Sequence, residues 1–241
     1  MYDVLMIGAG PASLYAAYEL LMKNENLRIV IFETQDFENW KNRNTHTQIE
    51  KHPRNQDSAE NILGSHIGKV RTDKLIKYAK NITKQVTDCS LTADCAEYRN
   101  QTLTDKSLGI CTAGSTNSYG LSLLAMEDKL IKSVEFRFHS PVNTISLGNG
   151  THRILSRGKV YEGKTCMISV GKMERKWIKH LCKSLKLPYS AIHGKPELRN
   201  TLEMDDTGLF IAGDAAGLTH SYYGAAASGI HAARCIVRKI R

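Results

Sequence analysis

Residues 2–33 read YDVLMIGAGPASLYAAYELLMKNENLRIVIFE, and the pattern in this stretch decides the fold class. Tyr2 to Ile7 is a short apolar run with β-branched members, the pattern of a strand buried on both faces. Gly8-Ala9-Gly10-Pro11-Ala12-Ser13 ends it. Leu14, Tyr18, Leu21 and Met22 then recur at helical spacing, which predicts a helix from about Pro11 to Lys23, and Leu27 to Phe32 reads as the next strand. A strand, a glycine turn, a helix and a strand in such close succession open an α/β fold with a Rossmann-like doubly wound parallel sheet.

The turn carries chemistry as well as topology. In Gly8-x-Gly10-x-x-Ser13, glycine stands where the chain turns tightly and where backbone must come close to a pyrophosphate. Ser13 replaces the usual third glycine or alanine, and its hydroxymethyl is small enough to keep the helix near the strand. Pro11, Ala12 and Ser13 begin a helix whose unpaired N–H groups and partial positive charge favour phosphate. Glu33, about twenty residues beyond the turn, is placed to accept hydrogen bonds from adenosine ribose hydroxyls, with Thr34 beside it. A 2′-phosphate facing that carboxylate at about 4 Å would cost on the order of 4 kcal/mol at an effective dielectric near 20, which disfavours NADP at this site. The turn alone leaves NAD and FAD both open, and a glycine turn in some other α/β protein remains the bland alternative.

Outward from this unit the pattern weakens. Thr34 to Ser65 is polar and without clear periodicity, and is expected to be an extended loop, in which Arg43 is a candidate phosphate ligand. Thr72 to Gln85 should be a helix. Residues 86–120 show only weak strand signals and are where a small substrate-facing insertion would sit. Leu121 to Lys132 reads as a helix and Val134 to Phe138 and Val142 to Leu147 as strands. Arg153 to Ser156 and Lys159 to Tyr161 form a hairpin about Gly158, and Thr165 to Val170 a further strand, together an antiparallel β-meander. Trp177 to Leu185 reads as a helix, Leu209 to Ala212 as a buried strand and Ser221 to Arg241 as a final helix. No linker or repeat divides the chain, so a single domain over 1–241 is expected.

Near the end stands Gly208-Leu209-Phe210-Ile211-Ala212-Gly213-Asp214. This segment resembles the second FAD motif of the glutathione-reductase-like flavoproteins, in which the aspartate of a strand-terminal Gly-Asp contacts the ribityl-phosphate part of FAD. The stretches 2–20, 134–187 and 208–233 are similar to poorly characterised FAD-dependent dehydrogenases of that fold. The resemblance implies FAD as the cofactor, Gly213 and Asp214 on the flavin side, backbone around Val142 beside the adenine, and Gly171 ending the strand that closes the cofactor domain. Gly224-Ala225-Ala226 begin a small-residue helix whose N-terminus could stabilise charge on a reduced flavin, and an alanine-rich face also serves plain packing.

The chain has 241 residues, 41% apolar and 24% charged, proportions of an ordinary globular protein rather than a disordered one. It shows no run of about 18 apolar residues and enters a strand at Tyr2, so no membrane association and a cytoplasmic location are expected. The six cysteines include no C-x-x-C pair, and no metal is expected. The formal charge of +9 is spread without a long block; it leaves nucleic acid as a minor partner class, and the tail looks loosely similar to tRNA-modifying flavoproteins. His220, Tyr223 and Cys111 are weak catalytic candidates, each equally readable as a loop or core residue. The leading reading is a small FAD-dependent oxidoreductase acting on a small molecule, with NAD(P)H or a protein as electron donor. The alternatives are a flavoprotein acting on tRNA or other nucleic acid, and a non-catalytic flavin-binding protein.

Overall fold

A computed structural model describes residues 1–46, 62–89, 126–148, 150–171, 174–219 and 221–240. The chain runs β1 (Tyr2–Ile7), α1 (Pro11–Lys23), β2 (Ile29–Phe32), α2 (Phe37–His46), α3 (Lys69–Cys89), β3 (Val134–Arg137), β4 (Val142–Gly148), β5 (Thr151–Ser156) and β6 (Lys159–Ile168). It continues through α4 (Arg175–Ser184), β7 (Tyr189–Ser190), β8 (Lys195–Pro196), β9 (Leu209–Ile211), a 3-10 turn at Gly213–Ala216 and α5 (Tyr222–Ile240). Short helical segments lie at 62–67 and 126–130.

Val4, Leu5 and Met6 of β1 are fully buried, as a central strand with layers on both faces requires. β1 pairs in parallel with β2 on one side and with the second half of β6 on the other. β2 pairs in parallel with β3, and β6 with β9, so the parallel order is β3-β2-β1-β6-β9. The chain moves outward one way from β1 to β3 and returns on the other side through β6 and β9. The switch therefore falls between β1 and β6, and the crevice at their carboxyl ends is where such sheets take ligands.

β6 does two jobs. Its first half pairs antiparallel with β5, which pairs antiparallel with β4, giving the expected meander; its second half enters the parallel sheet. The sequence suggests two strands here, at 159–161 and 165–170, yet one strand runs through both. Gly163 is the join: it pairs with His152 on the meander side and Tyr2 on the sheet side, and a Cβ there would lie 2.6 Å from Leu5 Cγ. A glycine that reads as a break is instead a close approach.

The expected loop at 34–65 is corrected too, because Phe37–His46 is helical. Asp36 caps it, its Oδ1 accepting the Asn39 N–H at 2.8 Å, and Phe37 and Trp40, one turn apart, anchor it. The helix is otherwise polar in sequence, so its periodicity is faint. The β7–β8 hairpin was not anticipated. α1 packs against α5, which also contacts α3. Of the expected insertion, 86–89 continue α3, and 90–120 lie outside the described residues.

Candidate dinucleotide site

The glycine turn sits at the carboxyl end of β1, beside the end of β6. Gly8 has φ +97°, and a Cβ on it would lie 2.9 Å from the Ser169 carbonyl oxygen, so both its conformation and its surroundings demand glycine. Its N–H donates to Phe32 O at 2.8 Å, tying the turn to the end of β2. Side chains hold the next two peptide groups. In the Gly8–Ala9 group, Ser169 Oγ donates to the Gly8 carbonyl at 3.2 Å and the Ala9 N–H donates to Glu33 Oε2 at 3.0 Å. In the Ala9–Gly10 group, the Trp40 indole N–H donates to the Ala9 carbonyl at 2.8 Å.

Gly10 is the N-cap of α1, with Pro11 in the first position, no side-chain cap and no acid in the first turn. Pro11 has no N–H to satisfy. The N–H groups of Gly10, Ala12 and Ser13 find no acceptor among the described residues, which leaves a cluster of donors at the positive end of a helix. Ser13 itself is buried, and its hydroxyl lies 2.5 Å from Ser169 Oγ. The departure from a third glycine is thus matched by a serine on β6's end, a partner too remote in sequence to be noticed.

Glu33 is buried at the end of β2, its N–H donating to Arg137 O at 2.9 Å and its carbonyl accepting the Ser140 N–H at 2.7 Å. Oε1 accepts the Thr34 hydroxyl at 3.1 Å and the Gln35 N–H at 3.2 Å.

The second turn arrives from the other end of the chain. Ala212 N–H donates to Ile168 O at 2.9 Å, setting Gly213 at the carboxyl end of β9 beside β6. Gly213 has φ +66°, its N–H donates to Ser228 Oγ at 2.8 Å, and a Cβ on it would lie 3.2 Å from Ala12 Cβ. On the other side of Ala12, a Cβ on Gly229 would lie 2.0 Å from the Ala12 carbonyl oxygen. Ala12, in the first turn of α1, therefore stands between the Gly213-Asp214 turn and α5. Gly217, with φ +65°, closes the turn against Lys195, beyond which an open cavity of about 260 Å³ is lined by His66, His193, Lys195 and Leu218 among others.

Solved structures share this fold. A thioredoxin reductase from Streptococcus pyogenes superposes on the chain with a TM-score of 0.59 at 12% identity, over 99% of this chain and 98% of that one. The fold is that of the thioredoxin reductases. A ferredoxin-flavin thioredoxin reductase from Clostridium acetobutylicum matches with a TM-score of 0.52 at 13% identity over 99% and 97%. An E. coli quinol fumarate reductase matches with a TM-score of 0.60 at 8% identity over 99% of this chain and 70% of that one. No protein-family model and no curated protein matches the sequence. The thioredoxin reductase fold accords with the glutathione-reductase-like architecture read from the two glycine motifs.

The other candidate residues distribute unevenly over this fold. Val142 is buried at the start of β4, and Gly171 is exposed three residues past the end of β6. Gly224 is pressed by Thr219, where a Cβ would lie 2.0 Å from Oγ1; Ala225 lies against Gly213, and Ala226 is in the core, so these small residues pack against protein. Tyr223 is half-buried, edge-on to Tyr222 with ring centroids 5.1 Å apart, and Lys80 Nζ stands 5.4 Å from its ring centre. Arg43 falls within α2, its side chain outside the described residues, as Cys111 and His220 are altogether. Sequence reasoning missed Ser169, Ser228 and the hydrogen-bonding role of Trp40. A buried tryptophan needs an acceptor, and that was the available signal.

Among the described residues no cluster of histidine, cysteine and acidic side chains could hold a metal, and no helix is long and apolar enough to cross a membrane. Cys166, Cys182 and Cys235 are free thiols. Burial pushes Cys166 up to about 12 and Cys182 up to about 11, and raises Cys235 as well, so none is a ready thiolate at neutral pH.

Proposed function

We propose that this chain binds FAD across its two glycine turns and works as an FAD-dependent oxidoreductase. The observation that carries the reading is the meeting of the two turns at Ala12: one offers uncapped helix donors beside a buried acid, and the other carries Asp214 directly after Gly213. In this reading the N–H groups of Gly10, Ala12 and Ser13 hold the pyrophosphate and Glu33 takes the adenosine ribose. By resemblance, Asp214 takes the ribityl side and backbone at Val142 flanks the adenine. Bound flavin supplies the redox chemistry, accepting an electron pair from a donor and passing it on. The protein binds it, orients it and keeps water from its buried edge.

The sequence has no C-x-x-C pair, and burial raises the described thiols Cys166, Cys182 and Cys235. We therefore place electron delivery directly at the flavin, from NAD(P)H or from a protein donor; the ferredoxin-flavin neighbour gives the second option support. We place the small-molecule substrate at the cavity beside Gly217, whose wall carries His66, His193, Lys195 and Glu197.

Purified protein should be yellow, or become so with FAD, and Glu33→Ala should weaken FAD by at least about tenfold, the cost of losing charge-assisted hydrogen bonds to the ribose. Asp214→Ala should weaken it as well. A colourless chain that takes up no FAD overturns the proposal. Anaerobic mixing with NADH, NADPH or reduced ferredoxin, followed by flavin absorbance, identifies the donor.

A further inference from the structure

We infer that Trp40 is a positioning residue for the phosphate end of this site, acting through a single peptide plane; the inference rests on the FAD reading above. In a trans peptide the C=O and N–H point to opposite sides. The Trp40 indole holds the Ala9 carbonyl at 2.8 Å, so the Gly10 N–H of the same plane is turned away from Trp40. The preceding plane is held at both ends, its carbonyl by Ser169 and its N–H by Glu33. Two consecutive planes are thus oriented by three side chains, and Gly10 N–H is the one donor of the pair left over.

That donor needs a lock because of the residue that carries it. Rotation of the Ala9–Gly10 plane is a coupled change of ψ at residue 9 and φ at residue 10, and glycine accepts almost any φ. The glycine that lets a pyrophosphate come close therefore also lets the plane swing. Trp40 supplies the restraint, and it is itself rigid: fully buried, stacked on Phe37 with centroids 6.0 Å apart and tilted against Phe138 at 5.5 Å. Its indole N–H is a donor only, so in this setting it has a single use. Core filling alone would be served by phenylalanine, which keeps the aromatic cluster and gives up the hydrogen bond.

The test is Trp40→Phe in the full chain, measuring dissociation constants for FAD, ADP and adenosine, the urea unfolding midpoint, and ³¹P resonances of bound ADP. The expected result is about tenfold weaker FAD and ADP, adenosine changed by less than about twofold, and shifted ³¹P resonances. Equal weakening for ADP and adenosine, or no change in any of the three, overturns the inference while FAD binding by the parent chain stands. A parent chain that binds neither FAD nor ADP overturns the FAD reading and this inference with it. Should Trp40→Phe fail to fold, 3-benzothienylalanine at position 40 keeps the shape and lacks the N–H, and the same ligand pattern is required of it.

Discussion

At Gly8–Ser13 the backbone is held by side chains that arrive from elsewhere, Glu33 from the end of β2, Trp40 from α2 and Ser169 from the end of β6. At Gly213–Gly217 it is held mainly by missing side chains, at Gly213, Gly217, Gly224 and Gly229, with Ser228 Oγ as a polar clamp on the Gly213 N–H. The first turn presents free donors, so its exact orientation has to be set by hydrogen bonds. The second turn must be brought up against α1, and closeness is set by what is left out. Single polar substitutions should therefore disturb ligand contacts at the first turn, whereas added methyl groups should disturb the fold at the second.

The largest effect is expected at Gly229. Alanine there would put its Cβ 2.0 Å from the Ala12 carbonyl oxygen, a backbone atom at the tightest crossing of α1 and α5. Neither helix can retreat without pulling Gly213 from Ala12, so Gly229→Ala should cost more than about 3 kcal/mol in urea unfolding. An unchanged unfolding midpoint would show that the helices are not held by close approach and would remove the contrast between the turns.

Next comes pH, which acts with opposite sign on Glu127 and on two buried histidines near the second turn. Glu127, in the crossover leading to β3, is buried, its Oε1 has no hydrogen-bond partner among the described residues, and burial, aided by Asp128, pushes its carboxyl up to about 7. Its folded pKa lies above the ordinary value of 4.5, so its contribution is present below that value and is lost as pH rises through about 7. Glu127→Gln should stabilise the chain at pH 8 by on the order of 2 kcal/mol and do nothing at pH 4. On the other side, burial lowers His152, whose ring lies against Gly208 before β9, and His231 of α5. Their neutral forms are favoured by folding, so their contribution is present above the ordinary 6.5 and is lost as pH falls below it. Unfolding midpoints across pH 4 to 8, with and without Glu127→Gln, should show the alkaline loss vanish and the acid loss remain. Absence of the alkaline loss would contradict the Glu127 assignment, and absence of the acid loss the histidine one.

How much of this was legible follows the same division. The β1–α1–β2 unit was readable because its apolar periodicity, its glycines and Glu33 lie within one short stretch, where every interaction is local. The strand before Gly213-Asp214 was readable from its apolar run, and the Gly-Asp turn from the flavoprotein motif that it resembles. What holds the first turn was not, since Ser169 and Trp40 act from a distance: a serine signals no long-range hydrogen bond, and a buried tryptophan signals that it needs an acceptor without saying which. Gly163 misled for a related reason: a glycine needed for close approach to Leu5 looks, in sequence, like a strand break. Phe37–His46 was hidden because two aromatic anchors suffice for a helix that is polar on all its other sides.

The smallest effect concerns the residue that departs from the glycine pattern. A hydroxyl has one proton, and Ser169 donates its own to the Gly8 carbonyl, so Ser13 is the donor across the 2.5 Å contact. The pair is therefore unequal. Ser169→Ala strands two buried groups, the Gly8 carbonyl and the Ser13 hydroxyl, and should cost about 2 kcal/mol. Ser13→Ala strands none, because Ser169 keeps its acceptor, and should cost about 0.5 kcal/mol, close to what the usual alanine at that position would predict. In the Ser13→Ala background, Ser169→Ala should become cheaper by about 1 kcal/mol, a coupling that a double-mutant cycle reads directly. Equal costs for the two single changes, or strict additivity, would mean the serine at position 13 is merely tolerated; the predicted asymmetry would make it the outer link of the chain that fixes the Gly8–Ala9 plane.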